Sequence, residues 1–217
     1  MNIDDSNDER ICEKSFGVKG YEQGVNYDRL DLTNISPELK VANTRHEFEK
    51  IWAFRRRVYS ILFPNITGFE SDPYDRFSAT LFTEDDAGNI TSTGRLAFDS
   101  PQGLPEECLV HFLIKEHRQR AFKLAEFGRL IIDDEPRKGL IKKYYKSVYT
   151  IAVNNGIDSI IIVTKKKDLG FYQNRVGAKL LSSDVNETFG GTGKYGCVDW
   201  EVLKTKSRFL KWCGVSK

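Results

Sequence analysis

Apolar residues recur with a helical period between about Arg45 and Phe63, where Phe48, Ile51, Trp52, Val58, Tyr59 and Leu62 fall on one stripe. Thr44 stands at the N-cap position and Glu47 follows three residues later, the capping-box arrangement. Arg55 lies on the same stripe, so the pattern puts a charge on the face to be buried; such a charge must be paired or must face a cleft. Residues 65–75 are polar and acidic and read as a loop. Phe77, Ala79 and Leu81 then alternate with polar residues, as do Leu96 and Phe98 beyond the turn signal Asp85-Asp86-Ala87-Gly88-Asn89, which predicts an antiparallel hairpin.

Further along, residues 105–122 read as a helix opening at Pro105, and Leu124 to Ile132 as a strand. Lys138 to Asn154 is amphipathic: Ile141, Tyr144, Tyr145, Val148, Ile151 and Ala152 form one face, Lys142, Lys143 and Lys146 the other, and Asn155-Gly156 stops the helix. Residues 159–164 are a short apolar strand of the kind buried on both faces beside a parallel neighbour. A short helix from Asp168 to Val176 and a strand from Val198 to Leu203 complete the series. The order α, β-hairpin, α, β, α, β, α, β predicts a mixed α/β fold, an α+β arrangement whose sheet carries helices on both faces. The central strand–helix–strand unit makes a right-handed crossover between parallel neighbours. Residues 1–37 lack any sustained period and read as a mobile arm or lid; residues 38–217 read as a single domain.

Composition narrows the class. A net charge of +2, with 40% hydrophobic and 29% charged residues, is ordinary for a globular protein and argues against a dedicated nucleic-acid binder. No apolar run approaches the roughly 20 residues that a bilayer span needs. The cysteines Cys12, Cys108, Cys197 and Cys213 are scattered without metal-ligand or redox spacing, which predicts reduced structural thiols and a cytoplasmic setting. The histidines His46, His111 and His117 form no ligand pattern, and no metal site is expected.

Two groups of residues carry candidate chemistry. Arg55 and Arg95 sit in elements patterned for burial, while Glu70, Asp72 and Asp75 are closely spaced carboxylates, so an arginine–carboxylate cluster is one reading. A solvated acidic loop with Arg55 extended to solvent is the other. Alternation along 124–132 puts Glu126 among Leu124, Leu130 and Ile132. Burial there would raise its carboxyl pKa and suit it to be a general base; a salt bridge to Arg129 or an edge-strand charge is the competing reading. Gly128 between Glu126 and Arg129 would permit a bulge that brings both to one side and frees a backbone N–H.

Four segments together resemble a known family. Arg55-Arg56-Arg57-Val58-Tyr59 is similar to the R-x-x-V-F/Y signature of acyl-homoserine lactone (autoinducer) synthases and of the related long-chain N-acyl amino acid synthases. Glu70-Ser71-Asp72-Pro73-Tyr74-Asp75 resembles their E-x-D-x-x-D, and Gly94-Arg95-Leu96 their G-R-L element. Glu126-Phe127-Gly128-Arg129-Leu130 resembles E-x-S-R-x, with Gly128 in place of the usual serine. The resemblance covers residues 48–178 and implies a GNAT-like fold, with a mostly antiparallel sheet containing one parallel pair.

What the resemblance implies is an N-acyltransferase. Glu126 would be the base and Arg129 its catalytic neighbour, while Arg55, Glu70, Asp72, Asp75 and Arg95 would shape the acceptor pocket. The bulged backbone near Leu130 and Ile131 would hold pantetheine and polarise the thioester carbonyl. Arg137, Lys138 and Gly139, in the loop that in GNAT enzymes holds the pyrophosphate of coenzyme A, would serve the donor, with Tyr172 beside the pantetheine. That loop has a single glycine, which favours phosphopantetheine on an acyl carrier protein over acyl-CoA as donor substrate. Lys138, Lys142, Lys143, Lys146 and the run 165–167 would then meet an acidic carrier. No tightly bound cofactor is implied. Gly128, and Asn65 where autoinducer synthases carry an aromatic residue, favour a free amino acid over S-adenosylmethionine as acceptor. An S-adenosylmethionine-using lactone synthase, a generic coenzyme A-dependent acetyltransferase and a silent acyl-binding module are the alternatives.

Overall fold

The computed structural model describes residues 30–62, 64, 73–133, 139–185 and 195–214. Their strands form one seven-stranded sheet in the order β1-β2-β3-β4-β5-β7-β6. The strands are β1 (Lys40–Val41), β2 (Ser78–Glu84), β3 (Ile90–Phe98), β4 (Leu124–Ile132), β5 (Ser159–Lys165), β6 (Lys179–Val185) and β7 (Tyr195–Glu201). All neighbours are antiparallel except β4 and β5. Helices α1 (Arg45–Leu62) and α2 (Glu107–Gln119) cover one face; α3 (Leu140–Asn154) and α5 (Lys206–Cys213) cover the other. The mixed sheet, its parallel pair and its two helical layers match the sequence-based reading.

The local devices are those the sequence announces. Thr44 Oγ1 accepts the Glu47 N–H at 3.2 Å while Glu47 Oε2 accepts the Thr44 N–H at 3.0 Å, a reciprocal capping box that starts α1. Phe48, Ile51 and Phe54 then pack on Phe82, Ile90 and Ile131. In the hairpin turn, Asp85 Oδ1 accepts the N–H groups of Ala87 and Asn89, and Gly88 takes a φ of 80°. Strand alternation splits the core: Ala125, Phe127, Ile160 and Ile162 face α3, whereas Leu124 and Ile161 face α2.

Several boundaries differ from the sequence-based reading. β1, β6 and α5 are additional elements, α2 begins at Glu107 rather than residue 105, and β7 spans Tyr195–Glu201, so Val202 and Leu203 fall in the following turn. The short helix expected at 168–176 is a 3₁₀ turn (Lys166–Asp168), one α turn, α4 (Leu169–Phe171), and a π turn (Tyr172–Val176). Of the arm expected over residues 1–37, residues 1–29 lie outside the described residues. The following segment runs along α3, with Ser36 N–H donating to Ser147 Oγ at 2.9 Å and Asp31 N–H to Asn155 Oδ1 at 3.0 Å.

Gly94 has a packing reason. A Cβ there would meet the Tyr144 ring at 3.0 Å and Phe127 at 3.3 Å, so the absence of a side chain lets α3 seat Tyr144 against β3. Gly94→Ala is expected to destabilise the protein by about 1–3 kcal/mol through overpacking. A urea midpoint unchanged from wild type would show that Tyr144 has room to move.

Candidate active site

β4 and β5 are parallel neighbours for only three residue pairs, Leu124–Ser159, Ala125–Ile160 and Glu126–Ile161. Both strands continue, to Ile132 and Lys165, so beyond Glu126 they diverge. The gap between them is a cavity of about 640 Å³, within the range of small-molecule sites.

The divergence accompanies a bulge in β4. Thr93 of β3 pairs with Ile131 and Arg95 with Gly128. Between those pairs β3 contributes one residue, Gly94, and β4 contributes two, Arg129 and Leu130. The bulge expected at Gly128 is therefore present, but the left-handed residue is Arg129, at φ 53°, while Gly128 stays in register opposite Arg95. A left-handed arginine costs about 1–2 kcal/mol and is held by its surroundings: its guanidinium lies 5.6 Å from the Tyr59 ring centre. Glu126, Gly128, Arg129 and Leu130 all line the cavity. Ile131 does not; its side chain is buried under α1.

Glu126 is 3% exposed, and its Oε2 accepts the Glu106 N–H at 2.8 Å. Burial, then the neighbouring charge of Glu106, pushes its carboxyl up to about 8, against the opposing pull of the Glu106 N–H, Arg95 and Arg129. A carboxyl in that range can exchange a proton near neutral pH.

Arg55 and Arg95 both reach Asp75. Arg55 Nη1 donates to Asp75 Oδ1 and Oδ2 at 2.9 and 3.0 Å, Arg95 Nη1 to Oδ1 at 3.2 Å, and Trp52 Nε1 to Oδ2 at 2.9 Å. All three charged side chains are buried, which answers why a charge sits on the apolar stripe of α1. The cluster stands behind the cavity rather than in its wall, and Arg95, opposite Gly128, joins it to the β4 bulge. Tyr59, one helical turn after Arg55, reaches the cavity itself. Glu70 and Asp72 lie outside the described residues, as do Arg137 and Lys138. Gly139 opens α3 with φ 89° and is not among the residues lining the cavity.

The opposite wall is aromatic. Tyr145 Oη donates to Tyr172 Oη at 2.8 Å, and both rings line the cavity with Phe127 and Phe171. Burial raises both hydroxyls above the usual tyrosine value, with hydrogen bonds from Tyr145 and Thr164 partly offsetting the rise at Tyr172; both therefore stay protonated. Lys165 and Lys167 also belong to the wall. The other lysines have different places: Lys143 pairs with Glu38 and Lys166 with Asp184, while Lys142 lies over Trp212. Glu106, Tyr145 and Thr164 escaped the sequence reading as site residues, because only the docking of α2 and α3 brings Glu106 and Tyr145 to the cleft and only the divergence of β5 from β4 opens it beside Thr164.

With this geometry, the site brings a buried carboxyl, the β4 bulge and two tyrosine hydroxyls around one cleft. The family model described as N-acyl amino acid synthase FeeM matches residues 51–190, more than half of the chain. Solved structures with the same fold include FeeM, an N-acyl amino acid synthase from uncultured soil microbes. It is 19% identical with a TM-score of 0.63, covering 79% of this chain and 99% of that one. TofI in a ternary complex with an inhibitor and MTA is 15% identical with a TM-score of 0.61, covering 82% and 97%. BjaI, a CoA-dependent acyl-homoserine lactone synthase with SAM and isopentyl-CoA, is 15% identical with a TM-score of 0.54, covering 82% and 89%. No curated protein sequence matches the chain.

Proposed function

We propose the following reaction for this chain, which belongs to the FeeM family of N-acyl amino acid synthases and is an acyltransferase: it moves a long-chain acyl group from a thioester to the amino group of a free amino acid. The observation that carries this reading is the buried Glu126 carboxyl in the wall of the cleft where β4 and β5 part. The amine arrives as an ammonium, and Glu126 takes one proton from it. The freed lone pair attacks the thioester carbonyl, forming the C–N bond. The bulged backbone of β4 at Arg129 and Leu130, in the cavity wall, is the segment that would supply an N–H to the developing oxyanion. Collapse breaks the C–S bond, and the nitrogen's second proton balances the departing thiolate, with the Tyr172 hydroxyl of the cavity wall as the proposed relay to sulfur. No covalent enzyme intermediate is needed. Cys197, the buried thiol nearest in chemistry to a nucleophile, is pushed up to about 12 by burial and by Glu126 and Asp199, so it stays a thiol.

Either an acyl carrier protein or coenzyme A would present the same pantetheine arm. Lys165 and Lys167 at the cleft favour an acidic carrier, whereas the likeness to BjaI, a CoA-dependent acyl-homoserine lactone synthase, supports the other donor. Arg55, Asp75 and Arg95 support the acceptor side from behind, with Glu70 and Asp72 on the segment that joins α1 to Asp75. The test is to incubate the purified protein with palmitoyl-carrier protein or palmitoyl-CoA and a mixture of amino acids, following released thiol and product mass. Thiol release that depends on an amino acid, with an acyl amino acid as product, is expected. Release from neither donor, or an acyl lactone formed only with S-adenosylmethionine, would contradict the reading.

A further inference from the structure

Glu126 shares its cavity with a second acid. Glu106 stands directly after Pro105 in the turn that opens α2, half-buried, and it lines the same wall. The turn that carries it also fixes Glu126, because the Glu106 N–H is the donor to Glu126 Oε2. This turn is braced from outside the cavity. Glu107 Oε2 accepts the Leu104 N–H at 2.8 Å, and Arg118 ties Glu107 to Asp99 at the end of β3. One oxygen of Glu126 is thereby tied to a braced turn.

The ionisable groups that face Glu126 come from four elements: Glu106 from the turn before α2, Arg95 from β3, Arg129 from β4 and Cys197 from β7. Cys197 is a neutral thiol. The two arginines favour the carboxylate, which is a weak base when so stabilised. Glu106 is the one group of the four that brings negative charge. We propose that Glu106 is a positioning residue for Glu126, holding one of its oxygens through the backbone N–H and bringing a second carboxyl into the same cavity wall. Without the charge of Glu106, Glu126 would still sit in place but would be a poorer match for an ammonium. This inference rests on the reading of Glu126 as the base and deepens it.

The test needs no substrate. Protein labelled with carbon-13 at the glutamate carboxyl is titrated by NMR, and the Glu126 resonance is assigned by its loss in Glu126→Gln. In the wild type the midpoint is expected near 8, the value to which the site pushes the carboxyl. Glu106→Gln keeps the backbone N–H and removes the charge; the midpoint should fall by about one pH unit or more, and Glu106→Asp should restore most of it. Should Glu106→Gln not fold, Glu106→Ser removes the same charge with a smaller side chain. A midpoint that stays at the wild-type value in the charge-removing variant overturns the proposal, since a purely structural role would lower the rate without moving the titration. The two readings fail separately. An inactive Glu126→Gln with an unmoved Glu106→Gln midpoint sinks only the role of Glu106, whereas a fully active Glu126→Gln sinks the base assignment beneath it.

Discussion

Glu126→Gln is expected to lower kcat by about 10²–10⁴-fold, the usual worth of a positioned general base, while leaving the fold intact. Glutamine has nearly the same volume and still offers an oxygen to the Glu106 N–H, so the loss isolates proton transfer from packing. The pH profile separates this from a general weakening. Wild-type kcat/KM should rise with pH through a limb near 8, where Glu126 ionises, and the limb should vanish in the variant. Stability should move in the opposite direction. The folded-state value lies above the ordinary 4.5, so the wild-type protein loses stability as pH rises from about 4.5 through about 8, because the unfolded chain releases a proton that the folded chain retains. Glutamine carries no such penalty. Near pH 4 the two proteins should unfold at the same denaturant concentration, and at pH 9 the variant should be the more stable by a few kcal/mol. Equal rates across the pH range would remove Glu126 from the mechanism.

Asp75→Asn should produce the largest loss of stability, about 3–5 kcal/mol in denaturant unfolding at neutral pH. Asp75 is fully buried and accepts from Arg55, Arg95 and Trp52 at once. Asparagine preserves the shape but removes the negative charge between two buried guanidinium groups, and its amide turns one acceptor into a donor. A smaller effect on turnover should follow, since Arg95 lies in register with Gly128 and its charge acts on Glu126. A loss under about 1 kcal/mol, within the range of a surface pair, would mean that the cluster is far better screened than its burial indicates.

The parts of this arrangement that the sequence exposes are those written in short-range pattern. A 3.6-residue stripe with Arg55 on it, a capping box and a turn-flanked hairpin each depend on neighbours within a few residues, and the structure carries them, except that Leu62 of the stripe is exposed and Phe54 joins the buried face instead. The elements that escape are those without such a pattern. β1 is two residues long, β6 is an edge strand with a largely exposed face, and α5 buries Phe209 among Lys206, Arg208 and Lys211. The bulge illustrates a subtler miss. Glycine is the residue that freely adopts positive φ, so the sequence points to Gly128, yet the ladder keeps Gly128 opposite Arg95 and turns Arg129 instead, where Tyr59 receives its guanidinium. Glu106 is invisible for a different reason: its partner Glu126 is twenty residues away, and they meet because α2 docks across the parting strands.

The most direct test of the account is mass spectrometry of lipid extracts from bacteria that express the wild-type protein or Glu126→Gln. A new acylated amino acid in the wild-type extract, absent from the Glu126→Gln extract, is the predicted result, and its mass would name both the acceptor and the chain. The same acylated product at equal abundance in both extracts would contradict the account, because acyl transfer would then proceed without the buried carboxyl at the parting of β4 and β5.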